Sequence, residues 1–157
     1  MQYRPRQFIH RNRQFVFILI LMLFVTGETT AEISADRLFL DGKRYYTNAD
    51  YDSAVDAFKK TVELQPDSSL YHYWLGKSYG RLAENSGIFS AYQLSNLTRE
   101  EFELAVELDG THRNALVDLM EFYKRAPGFL GGGQDKAEAI RIRLEALDQG
   151  METAKSP

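Results

Sequence analysis

The chain of 157 residues contains no cysteine. No disulfide can form and no lipid-modified amino-terminal cysteine is possible, so passage into an oxidising compartment is harmless to it. Histidine is scarce as well. His72 and His112 stand alone, with no second His or Cys at ligand spacing, which argues against a metal, and no cofactor is expected. No serine lies in a nucleophile elbow, so an enzyme is not expected. Basic residues are not in excess: 19 Lys and Arg face 22 Asp and Glu, a formal charge of −3. Without a basic run, a nucleic-acid partner is not expected. Long apolar runs are missing too. Phe15 to Val25 (FVFILILMLFV) is an unbroken run of eleven, far short of the roughly 20 residues of a spanning helix.

That run has a different signature. It follows a basic segment with Arg4, Arg6, Arg11 and Arg13, it is ended by Thr26, Gly27 and Glu28, and Thr29-Thr30-Ala31 supplies small residues for cleavage after Ala31. Residues 1–31 therefore read as a secretory signal that delivers the protein to the periplasm or the medium. The alternative is an uncleaved anchor that holds it on the periplasmic side of the inner membrane, the one membrane contact expected. The arginines are not adjacent (Arg11-Asn12-Arg13), which favours Sec-type export over a twin-arginine route. Cleavage would remove four arginines and Glu28, leaving 15 basic and 21 acidic residues, a charge of −6. Residues 32–149 are then the folded domain and 150–157 a disordered tail.

From Ala35 to Pro66, Gly42, Tyr45, Tyr51, Ala54, Phe58 and Pro66 punctuate two amphipathic segments separated by Asn48-Ala49-Asp50. With Pro66 closing a 34-residue unit, Gly42 falls at unit position 8, Tyr45 at 11, Ala54 at 20 and Phe58 at 24. In order and spacing the stretch resembles a tetratricopeptide (TPR) repeat. The resemblance implies an all-α solenoid of helical hairpins that binds proteins or peptides, and it brings no catalytic residue. It extends to about Gln149. Leu75, Gly76, Tyr79, Phe102 and Ala105 mark a second unit, in which Tyr79 to Phe102 is 23 residues where the family has 13, so ten are inserted around Ala83 to Thr98. A third unit is degenerate, with Met120 where the family has Gly. The segment from Glu121 to Ala137 (E-F-Y-K-R-A-P-G-F-L-G-G-G-Q-D-K-A) also resembles one in exported bacterial TPR proteins.

In the first unit, helix A is expected from Ser34, a plausible N-cap, to Thr47, and helix B from Asp50 to Leu64, burying Ala54, Phe58, Thr61, Val62 and Leu64. For the insert, Phe89, Tyr92 and Leu97 are apolar enough to pack. Either one long helix runs from Ile88 to Leu108, or a short helix breaks at Ser95-Asn96 and a capping box at Thr98 opens a new one. Thr111 can cap a helix to Arg125. A last helix, from Gln134 to Leu147, buries Ala137, Ile140, Leu144 and Leu147.

Two candidate sites follow. The loop Pro127, Gly128, Phe129, Leu130, Gly131, Gly132, Gly133 could wrap an anion with free amides, yet it lacks the Gly-Lys-Ser/Thr of a phosphate loop, so a structural loop with Phe129 and Leu130 plugging the core is favoured. The other site is the groove. TPR helix A positions 2, 5, 9, 12 and 13 line it, which carries across to Asp36, Phe39, Lys43, Tyr46 and Thr47, then Leu70, Tyr73, Lys77, Gly80 and Arg81, then Asn114, Val117, Glu121, Lys124 and Arg125. The resemblance thus implies a basic, aromatic groove suited to an extended acidic peptide, with Lys43, Lys77 and Lys124 in a cationic line. TPRs that bind chaperone tails have Lys at position 5 and Asn at 9. Phe39 and Lys43 stand there in this chain, so that specificity does not carry over.

Overall fold

In the computed structural model, residues 35–155 are described, with side chains as far as residue 150; the segment expected to be a signal and the expected Ser34 cap lie outside them. The described chain is α1 (35–47), α2 (Tyr51–Leu64), α3 (Ser69–Glu84), α4 (Ile88–Leu108), α5 (Arg113–Arg125), a 3-10 turn (Gly128–Leu130) and α6 (Gln134–Lys155). Each helix packs mainly on its neighbours in sequence, the connectivity of a short TPR-like solenoid with an insert in its second unit.

Two glycine–phenylalanine pairs set the helix spacing. A Cβ on Gly42 in α1 would stand 2.7 Å from the Phe58 ring of α2, and one on Gly76 in α3 would stand 2.8 Å from the Phe102 ring of α4. Bare backbone at these crossings lets a whole ring take the place of a side chain. The glycines are 34 positions apart and the phenylalanines 44, the difference being the ten inserted residues. Both hairpins are therefore the same packing solution.

Short polar contacts shape the ends. Ala49 adopts φ 60°, and the amides of Ala49 and Asp50 return to the carbonyls of Tyr46 and Tyr45, closing α1 in a left-handed cap. The Asp50 carboxylate then accepts from the Ser53 amide and opens α2. In α2, Ala54, Phe58 and Thr61 are buried as expected, joined by Val55 and Ala57, whereas Leu64 is exposed at the last turn. Thr111 does not cap α5. Its amide and hydroxyl both donate to Asp109 in a tight turn, and His112 occupies the cap position.

The insert forms one continuous helix. Across the Ser95-Asn96 break considered above, Asn96 and Thr98 donate to the carbonyls of Tyr92 and Leu94 one turn back, so both side chains turn onto their own helix and none opens a new one. Only its second half packs as expected, through Leu94, Leu97, Phe102, Ala105 and Val106. Phe89 and Tyr92 are exposed because, at roughly 100° per residue, they lie well round the helix from Thr98 and Phe102, which face α3. α6 buries Ala137 and Leu144, with Ile140 and Leu147 partly buried beside them. It then continues past Leu147 to Lys155, through most of the stretch expected as a disordered tail. Its outer side carries Arg141 between Glu138 and Glu145, a charged face that can end a stack.

Two core clusters result, one shared by α1 to α4 and one by α3 to α6, and Trp74 packs against both. Buried His72 ties α3 to its surroundings: Nδ1 lies 2.6 Å from Glu101 Oε2 and Nε2 2.7 Å from the Pro66 carbonyl. A carboxylate oxygen and a main-chain carbonyl thus flank the two ring nitrogens, both of them acceptors.

Candidate functional site

Side chains of α3 reach α1 on one flank and α5 on the other. Phe39, Lys43 and Tyr46 recur at i, i+4 and i+7 on α1, and Tyr73, Lys77 and Arg81 do so at i, i+4 and i+8 on α3, so each set shares one helical face. Phe39 meets Tyr71 and Trp74 at ring distances of 5.1 and 6.3 Å, and Tyr46 meets Trp74 edge-on at 5.4 Å. On the other flank, the Tyr73 hydroxyl donates to Asp118 of α5 at 3.0 Å.

Trp74 is the centre of this face. Lys43 Nζ lies 5.1 Å from its ring and 5.7 Å from Phe39. Lys77 Nζ lies 5.1 Å from the same indole, 5.6 Å from Tyr46 and 5.4 Å from Tyr73. Ring faces at such distances attract an ammonium by roughly 0.5–1 kcal/mol each at an accessible site. Among the described residues no acid comes within ion-pair distance of either lysine. Two positive charges are thus held in place by aromatic quadrupoles and left without a carboxylate.

The other expected groove residues divide differently. Arg81 sits over the Tyr51 ring, donates to the Tyr51 hydroxyl and pairs with Glu84, contacts that raise its pKa further. Glu121 is paired with Lys124 and Arg125, and the Lys124 hydrogen bond holds its carboxyl below the ordinary value. Of the three lysines expected in a cationic line, Lys124 pairs with Glu121 on its own helix at i−3, whereas Lys43 and Lys77 have no acid at that distance among the described residues. Tyr73 is core as much as lining. Burial, followed by the charge and hydrogen bond of Asp118, pushes its phenol well above the ordinary value. Tyr46 is raised as well, chiefly by burial.

Sequence reasoning missed Trp74 and Asp118. Trp74 had a usable signal: it is the chain's one tryptophan and lies three residues before Lys77, on the same helical face. Nothing in the sequence marks Asp118.

The glycine loop is built as a backbone knot. The amides of Leu130, Gly131, Gly132 and Gly133 donate to the carbonyls of Pro127, Gly128, Pro127 and Tyr123. These four amides are satisfied within the loop and are not free to receive an anion. Gly131 has φ 84°, and a Cβ there would press on Arg99; a Cβ on Gly132 would overlap the Ala126 carbonyl. Lys136 clamps the knot by donating to the Gly131 carbonyl at 2.9 Å. Its ammonium also lies 5.2 Å from the Tyr123 ring, whose hydroxyl donates to Glu103. Phe129 departs from expectation. It does not plug the core but lies exposed, stacked on Tyr92 at 6.4 Å.

Among the described residues no three His, Asp or Glu side chains gather as a metal site, and no helix is long and apolar enough to cross a membrane. No family model and no curated relative matches the sequence. Among solved structures, the chain is similar to the first TPR of Spaghetti (RPAP3) bound to the HSP90 peptide SRMEEVD, at 17% identity and a TM-score of 0.45, over 76% of this chain and 96% of that one.

Proposed function

We propose that this protein is an exported, non-catalytic scaffold that binds an extended acidic segment of another protein across the face of α1 and α3. The observation that carries the proposal is the pair Lys43 and Lys77, both over Trp74 and, among the described residues, both without an acid at ion-pair distance. A carboxylate arriving there meets two ammonium groups already oriented, while its apolar flank lies along Phe39 and Tyr46. Orientation before binding lowers the ordering cost of the complex. Asp118 limits the register, because an acidic side chain set beside it would be repelled.

Binding of acidic peptides to the purified protein, followed by titration at several salt concentrations, tests this. Affinity should fall as salt rises, and Lys77→Glu should weaken it at least tenfold while the melting temperature holds, since the ammonium is not core. Unchanged affinity and unchanged salt dependence in Lys77→Glu would move the binding surface off this face. Export belongs to the same proposal and rests on the basic start and the run from Phe15 to Val25. Amino-terminal sequencing of protein from the cell envelope and medium should give a mature start at Glu32; a chain that retains Met1 in the membrane fraction would establish the anchor instead.

A further inference from the structure

Away from the lysine pair, α4 and the glycine loop form an exposed apolar tip. Ile88 is 87% exposed, Phe89 90%, Phe129 74% and Tyr92 48%, and the Tyr92 and Phe129 rings stack at an interplanar angle of 15°. Ile88 and Tyr92 share a helical face at i, i+4, so the four side chains form one continuous surface.

Its surroundings are unusual for this chain. Asn85 to Thr98 contains no charged residue, and neither does Ala126 to Gln134, although 26% of the whole chain is charged. Two uncharged stretches have thus been folded together. Gly87 and Gly128 border the patch, and a Cβ at either would meet nothing within 4 Å, while neither has a positive φ. The fold itself does not call for glycine there. Bare backbone at the edge of an apolar patch lets another surface come close.

We infer that this tip is where a second copy of the chain docks, each patch meeting its own image across a two-fold axis. Area favours it: at roughly 150–200 Å² per large side chain, scaled by exposure, each copy offers on the order of 500 Å², and two copies would bury about 1,000 Å², the threshold of a specific interface. Charge favours it too. Two copies of an acidic chain repel each other, least where the surface carries no charge. A bilayer is the poorer occupant, because peripheral binding to anionic lipid combines apolar insertion with Lys and Arg, and these stretches supply none.

The absence of cysteine makes the test direct. Gly128→Cys, at the edge of the patch where a side chain meets nothing within 4 Å, and Lys60→Cys, on the exposed side of α2, are introduced singly into the full chain, isolated as the cell processes it, and oxidised at micromolar concentration. The expected result is a disulfide-linked pair from Gly128→Cys and none from Lys60→Cys. Adding Phe89→Glu with Phe129→Glu should lower the yield at least tenfold and shift the cysteine-free protein from the sedimenting mass of two chains to that of one. Both positions are exposed, so the helical circular dichroism and melting curve should be retained. Equal yields at the two cysteines, a yield insensitive to the glutamates, or a one-chain mass that co-sediments with phosphatidylglycerol vesicles through Phe89 would each overturn the inference.

Discussion

Replacing Gly76 by alanine sets two opposed effects against each other at one atom. In a helix interior alanine is favoured over glycine by roughly 0.5–1 kcal/mol, so an unobstructed site would gain stability. The site is obstructed: the new methyl would lie 2.8 Å from Phe102 Cδ1, 2.9 Å from Cε1 and 3.1 Å from Glu101 Cβ. The ring is buried between α3 and α4 and has no open side to move to, so relief must come from helix separation, an overpacking cost of about 1–3 kcal/mol. The net expectation is a loss of about 1–2 kcal/mol, or a melting temperature lower by roughly 3–8 °C. Urea unfolding followed by circular dichroism reads it. In a Phe102→Leu background the ring is gone, and the same Gly76→Ala change should reverse sign to a gain of about 0.5–1 kcal/mol. A neutral or stabilising effect in the parent protein, or the same sign in both backgrounds, would refute the claim that this ring-on-backbone contact sets the hairpin spacing.

Ala49→Gly should stabilise the protein by up to about 1 kcal/mol in the same unfolding assay, since it relieves the left-handed backbone of the α1 cap. Gly132→Ala should cost roughly 1 kcal/mol or more by collision with the Ala126 carbonyl, and thermal melts should show no saturable shift with phosphate, whose cradle is closed by internal hydrogen bonds. His72→Leu should cost about 2–4 kcal/mol, because it leaves the Glu101 carboxylate and the Pro66 carbonyl unpaired beside α3, whereas Glu101→Gln should cost much less. The Thr111 hydroxyl, then its amide, hold the Asp109 carboxyl below its ordinary range. That contribution exists above the unfolded pKa and is lost as pH falls through the folded one; Thr111→Ala should move the Asp109 titration upward in an NMR pH series.

The hairpins were legible in the sequence because their determinants are steric and recur at fixed spacing. Gly42 with Phe58 and Gly76 with Phe102 need only a count, and the count also located the ten-residue insert and its helix from Ile88 to Leu108. Solvent exposure was not legible. Phe89 and Phe129 look like core residues in any composition-based reading, and only the rotation of α4, which turns Thr98 and Phe102 toward α3, leaves Phe89 exposed. The setting of the lysines was legible in part. Lys43 and Lys77 were found by position, but charges cancel through neighbours in space, and the i, i+3 and i, i+4 links from Glu121 to Lys124 and Arg125 removed the third member of the line. Trp74 escaped because the groove was assigned by borrowed unit positions rather than by the helical face it shares with Lys77.

That single indole has an optical consequence. Because Trp74 is the chain's one tryptophan, packs against both core clusters and carries Lys43 and Lys77 at 5.1 Å, its emission reports on three places at once. Loosening of either half of the solenoid lets water reach the ring and moves its spectrum to the red. An anion drawn to the lysines changes the field across the ring while the fold stays intact. A titration that alters intensity without a red shift would then mark occupancy of the proposed face, and one that brings the red shift would mark unfolding, so the protein carries its own fluorophore for telling the two apart.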